Sequence, residues 1–173
     1  MRPKSLFQAL GGLPGVQRLA QAWHRRVLAD EIVAHAFSHG YHPAHTERLA
    51  AYWSEAWGGP PLYTAALGDE SHVVRMHSGN GEHDEMDRRA VACFTQALDD
   101  AGVQDIPLRE ALSRYFAWAT HERMTAYPRS PRDVPQGLRI VRWGWHGPMP
   151  APDGNAQAPT IQPSSGSTPA GQP

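Results

Sequence analysis

An all-α fold follows from two features of the chain. Every strongly patterned segment repeats its apolar residues at three and four, the period of a helix packed on one face. Glycine and proline pairs punctuate those segments where helices must stop.

The first long helix follows Gly11-Gly12 and Pro14, with Val16, Leu19, Ala20, Trp23 and Val27 on one face. His24 sits beside Trp23 and one turn after Ala20, so it shares that face. A short segment, Ile32 to Phe37, leads to the breaking loop Ser38-His39-Gly40-Tyr41-His42-Pro43. The next helix begins near His45, carries His45, Leu49, Tyr52 and Trp53 on one face, and ends by Gly58. Residues 70–77 make one or two turns, and Ser78-Gly79-Asn80-Gly81 forms a flexible joint. Asp84, Glu85 and Asp87 favour a helix start by charge. That helix buries Met86, Ala90, Cys93, Phe94, Ala97 and Leu98 and ends at Gly102. Pro107 opens the last long helix, with Leu108, Leu112, Tyr115, Phe116 and Ala119 inward.

After Tyr127 the character changes. Prolines recur at 128, 131, 135, 148 and 150, and the stretch closes on Arg142-Trp143-Gly144-Trp145-His146-Gly147-Pro148. Two tryptophans so close together imply a strap packed on the helices. From Ala151 the chain is Pro, Ser, Gly, Thr, Ala and Gln with one charge, Asp153, a composition too poor in apolar bulk to order itself. The expected organisation is a helical domain over 1–127, an ordered strap over 128–150 and a disordered tail over 151–173.

A chain of 173 residues fits one domain with a real core. A net charge of −1 and a pI near 6.8 argue against a nucleic-acid footprint and a polybasic membrane anchor. Cys93 is the single cysteine, so no disulfide framework exists. The apolar runs are too short for a signal peptide or a membrane span, and a cytoplasmic protein is expected. Gly-rich phosphate loops and nucleophile-elbow motifs are missing. Ten histidines and six tryptophans are many for this length. His35, His39, His42 and His45 crowd one loop without matching a closed zinc spacing.

The stretch from His45 to Cys93 carries the functional signal. Trp57 is followed by Gly58-Gly59-Pro60-Pro61-Leu62-Tyr63, and His77, in Arg75-Met76-His77, comes fourteen residues after Tyr63. This order sets one histidine on each side of a flat cavity. From Phe7 to Tyr127 the chain resembles the group II truncated haemoglobins, which carry W-G-G-P-P-x-Y and R-x-H at nearly this spacing. The link from Gly68 to His77 is one residue longer than in that family.

The resemblance implies a two-over-two helical fold binding one haem b, with His77 as the iron ligand on the proximal side. By itself His77 also fits a surface histidine favoured by a helix C-terminus. His72 is its rival, but five residues earlier it points roughly 140° away on a helix. His45 matches the distal gate, where an imidazole N–H would donate to bound oxygen, and Leu49 would seal the same face. Arg48 matches a basic partner for a haem propionate, Tyr63 a residue at the propionate edge, and Phe37 the aromatic wedge at the haem edge. His24 stands where the family usually has tyrosine; a satisfied core histidine is the equal alternative. Ala90 stands where the family has a ligand-bonding tryptophan, with Trp53 or Trp57 as candidates to fill the gap. Tyr52 and Trp53 complete the expected lining.

The function implied is binding of O2 or another diatomic ligand, as in oxygen transport, or redox chemistry on it: NO dioxygenation or peroxide turnover. A reductase would be the partner for redox work, and the oligomeric state would be monomer or homodimer. A haem-based gas or redox sensor and a haem-free helical binding module are the rival classes. Imidazoles at both distal positions predict ligand release that varies between about pH 5 and 8.

Overall fold

The computed structural model describes residues 4–151. Six helices make the frame: α1 (Leu6–Ala9), α2 (Gly12–Ala29), α3 (His45–Ala56), α4 (Glu70–Met76), α5 (Asp84–Asp100) and α6 (Ile106–Trp118). A 3-10 turn, Val33–Phe37, links α2 to α3. After α6 the chain widens into a π-helical turn, Ala119–Arg123, then passes a 3-10 turn, Pro131–Asp133. It closes on a small hairpin, β1 (Trp143–Gly144) and β2 (Gly147–Pro148), in antiparallel register.

The helix boundaries have local causes. α3 ends in a Schellman stop: Gly59 N–H donates to Ser54 O at 2.8 Å and Gly58 N–H to Glu55 O at 3.3 Å. Gly58 reaches this with φ +86°, a left-handed angle open to glycine, and two prolines then bar continuation. Asp69 caps α4 by accepting from His72 N–H at 2.8 Å, and Asp105 caps α6 by accepting from Leu108 N–H at 2.8 Å. α1, the π turn and the hairpin are short elements that the apolar periodicity does not announce.

α2 is the central element, packed against both α3 and α5, while α5 packs on α6. Val16, Leu19, Ala20 and Val27 of α2 are fully buried, as their spacing requires. The core between the helices is largely aromatic. Phe94 and Phe116 stack at 4.2 Å, and Trp53 stacks on the fully buried Trp57 at 5.2 Å. Ion pairs lace α2 to α5 outside this core, Arg26 to Asp100 at 2.7 Å and Arg89 to Asp30 at 3.0 Å. Such exposed pairs contribute at most about 1 kcal/mol each.

Residues 128–150 lie on the helices. Val134, Ile140 and Trp143 are buried, and Trp143 packs on Tyr115 and Trp118 at 5.8 and 5.1 Å. An indole burying roughly 200 Å² contributes on the order of 5 kcal/mol before conformational entropy is set against it. The expected tail, except Ala151, falls outside the described residues. No helix among the described residues is long and apolar enough to cross a membrane.

Candidate functional site

Four rings from four segments meet at one side of the α2–α3 pair. His24 comes from α2, Phe37 from the 3-10 turn, Tyr41 from the loop after it, and His45 from the first turn of α3. Their centroids lie 4.8 to 5.8 Å apart: His24 to Tyr41 is 4.8 Å, His24 to His45 4.9 Å, Phe37 to His45 5.5 Å and Tyr41 to His45 5.8 Å. Helical periodicity turns His24 to this face, and the loop that breaks after Phe37 folds Tyr41 back over it. The Nδ1 atoms of His24 and His45 are buried and have no hydrogen-bond partner.

Burial drives both imidazoles toward the neutral form. Desolvation lowers the pKa of His24. His45 falls to about 4, first through desolvation, then through repulsion from His24, His77 and His42, against a smaller opposing pull from Glu47. The window of pH 5 to 8 expected of a free imidazole is therefore moved toward acid.

His77 belongs to the other wall. It caps the C-terminal end of α4, and its Nδ1 lies 2.8 Å from Val73 O. A carbonyl only accepts, so Nδ1 carries the proton and the Nε2 lone pair is free. The residue is exposed to solvent, yet surrounding protein desolvates it enough to lower its pKa. His72 is exposed, and its backbone N–H serves the Asp69 cap. Two surface hollows, of about 100 and 150 Å³, lie elsewhere; neither is lined by a histidine, so neither offers an iron ligand.

The helix order, with α2 packed on α3 and α5 and α5 on α6, is that of a globin of the shortened type. The chain belongs to the bacterial-like globin family, whose model matches residues 5–123. Solved structures agree on the fold. The group II truncated haemoglobin of Bacillus anthracis is 22% identical, with 74% of this chain and 95% of that one covered at a TM-score of 0.63. The haemoglobin of Chloroflexus aurantiacus is 23% identical over 72% and 98% of the two chains, at 0.61. The truncated oxygen-avid haemoglobin of Bacillus subtilis is 20% identical over 70% and 98%, at 0.59. No curated protein matches the sequence.

Membership of a globin family implies a haem cofactor, and the residues present fit one. One wall offers a free Nε2 on an oriented, neutral imidazole; the other offers two buried imidazole nitrogens with no protein partner. Arg75, on α4 and two residues before His77, also has a buried Nη2 without a partner, a cation placed for a carboxylate.

The expected lining divides in two. His24, Phe37 and His45 come together, and half-buried Leu49 follows one turn after His45. Arg48 donates from Nη2 to Leu67 O at 3.0 Å, with its guanidinium 5.8 Å from the Tyr63 ring. Tyr52, Trp53 and Tyr63 are buried in the core. Tyr52 and Tyr63 meet edge to face at 5.4 Å, and the Tyr52 hydroxyl donates to Glu70 Oε2 at 2.8 Å. Glu70 is itself buried; desolvation raises its pKa against the opposing hydrogen bonds from Arg123 and Tyr52.

At Ala90 a further tryptophan, Trp23 of α2, makes the hydrogen bond. The indole N–H of Trp23 donates to Ala90 O at 3.3 Å, and its ring packs edge-on against Trp53 and Phe116 at 5.9 and 5.5 Å. The donor comes from α2 because α2, not α3, packs along α5. Sequence reasoning missed three residues here: Tyr41, Arg75 and Trp23. Trp23 had a signal, its place beside His24 on the apolar face. Tyr41 lies in a loop and Arg75 in a two-turn helix, where periodicity says little.

Proposed function

We propose that the chain binds one haem b through Nε2 of His77 and uses His24 and His45 to hold O2 or another diatomic ligand. The observation that carries this reading is the unequal treatment of the imidazole nitrogens. His77 Nδ1 is satisfied by a carbonyl, while His24 Nδ1 and His45 Nδ1 are buried with no partner. A buried polar atom left unpaired costs about 1–3 kcal/mol.

When bound, haem would supply a redox-active iron able to take up a diatomic molecule. The residues then divide the work. Val73 O holds the His77 tautomer that presents a lone pair. His24 and His45, kept neutral by burial, each have one N–H to donate toward a partially negative ligand. Phe37, Leu49 and Trp23 keep water from the cleft, and Tyr41 covers its distal side. Arg48 and Arg75 carry the positive charge suited to the propionates.

The test is to supply haemin to the purified chain and record absorption spectra. A Soret band that changes on reduction, and again under air or carbon monoxide, supports the reading; no Soret band overturns it. NO consumption under air and dye oxidation by peroxide, with and without a reductase, separate redox work from reversible oxygen binding. A partner bound in only one ligation state would favour sensing.

A further inference from the structure

α4 carries His77 but is only seven residues long. A helix of two turns is unstable alone, because nucleation costs more than so few hydrogen bonds return. It must be held from outside, and the holding groups come from the end of the chain.

At its first turn, Leu138 N–H donates to the fully buried Ser71 Oγ at 3.0 Å. Arg123 donates from Nε to the buried Glu70 Oε1 at 2.8 Å and from Nη2 to Arg139 O at 3.3 Å. At the joint after His77, Gly79 N–H donates to Tyr127 O and Gly81 N–H to Pro128 O, both at 3.0 Å. Gly79 has φ +79°, and a Cβ there would lie 2.5 Å from Pro131 Cδ. The Pro131–Asp133 turn also packs on α4. The far end of the same segment is anchored on the core. Trp143 packs on α6, Arg114 donates to Trp145 O at 2.8 Å, and Arg142 donates to Gly59 O.

We infer that residues 124–150 form a positioning strap for the proximal histidine, gripping α4 at both ends and anchoring it to α6 and to the end of α3. The strap lies beyond Arg123, where the family match stops. Ser71 and Gly79 are the positioning residues it engages, and Arg123, just before it, is a third. The grip is a property of the polypeptide; its consequence for iron rests on the reading of His77 as haem ligand.

Native-state hydrogen exchange on the full-length apo chain tests the grip. Ser71→Ala removes one acceptor, and Gly79→Ala drives a methyl group into Pro131. Each should speed exchange at the amides of residues 73–78 by tenfold or more, with α2 and α5 amides unchanged. Val103→Ala, a core lesion far from α4, should show no such selectivity. Haem-loaded variants should release haem to an acceptor apoprotein at least tenfold faster and show a shifted iron–histidine stretching frequency in the ferrous state. The grip is overturned if residues 73–78 change no more than α2 and α5 in either variant. Selective exchange with unchanged haem release and frequency overturns the positioning of His77. Should the wild-type chain take up no haem, the proposed function fails, and the exchange data alone uphold or overturn the grip.

Discussion

The surroundings of His77 and those of the His24–His45 pair are built in opposite ways. On the proximal wall, His77 is bonded to Val73, Ser78 Oγ donates to Val74 O at 2.6 Å, and Glu70 and Ser71 both have partners. On the distal wall, two imidazoles, a phenyl ring and a phenol touch through ring edges, and the buried histidine nitrogens bond to nothing. Bonded groups on and beside α4 hold one geometry, although Arg75 Nη2 is buried without a partner. An unsatisfied wall keeps donors in hand for a molecule that comes and goes. Under the proposed function, the contrast separates the task of holding a cofactor from that of meeting a ligand.

The sharpest way to break this comparison is to remove the fixed ligand. His77→Ala should abolish the Soret band of the reconstituted chain, while His72→Ala should keep it. Haem retained by the first variant and lost by the second would reverse the assignment.

Next in size is the distal pair. Replacing His24 and His45 together by leucine should raise the oxygen dissociation rate about 5- to 150-fold, the equivalent of roughly 1–3 kcal/mol for the main donor. Stopped-flow rates for wild type, both single variants and the double variant apportion the effect. Four equal rates would show that neither imidazole meets the ligand.

A third test addresses the tryptophan exchange. Ala90→Trp should destabilise the wild-type chain by about 1–3 kcal/mol through overpacking against Trp23. Combined with Trp23→Ala it should cost at least about 1 kcal/mol less than the two single effects added. Additive denaturation midpoints would show that the two positions do not share space.

The smallest expected effect is on stability with pH. The folded pKa of His45 lies below its unfolded value, down to about 4, so between these values the unfolded chain binds more protons. Stability is complete above about pH 6.5, the free imidazole value, and declines as pH falls toward 4. His24 acts in the same direction. Allowing for solvent screening, the loss is on the order of 1–2 kcal/mol. Denaturant midpoints of the apo chain at pH 7 and 4.5 should differ less in His45→Leu than in wild type. Equal differences would place the titrating group elsewhere.

What the sequence determined by itself was local in origin. Apolar spacing set the long helices, Gly58-Gly59-Pro60-Pro61 set the end of α3, and the acidic run Asp84, Glu85 and Asp87 set the start of α5, because each signal acts within a few residues. The same spacing placed His24 and His45 on inward faces and separated His77 from His72. The tertiary structure alone decided which distant groups meet. Trp23 reaches Ala90 across 67 residues, Leu138 reaches Ser71 across 67, and Arg123 reaches Glu70 across 53. It also turned Tyr52 away from the histidines to Glu70 and folded Tyr41 over them. Hydrogen bonds and ring contacts between remote segments depend on how whole helices cross, and periodicity along one helix carries no record of its neighbour.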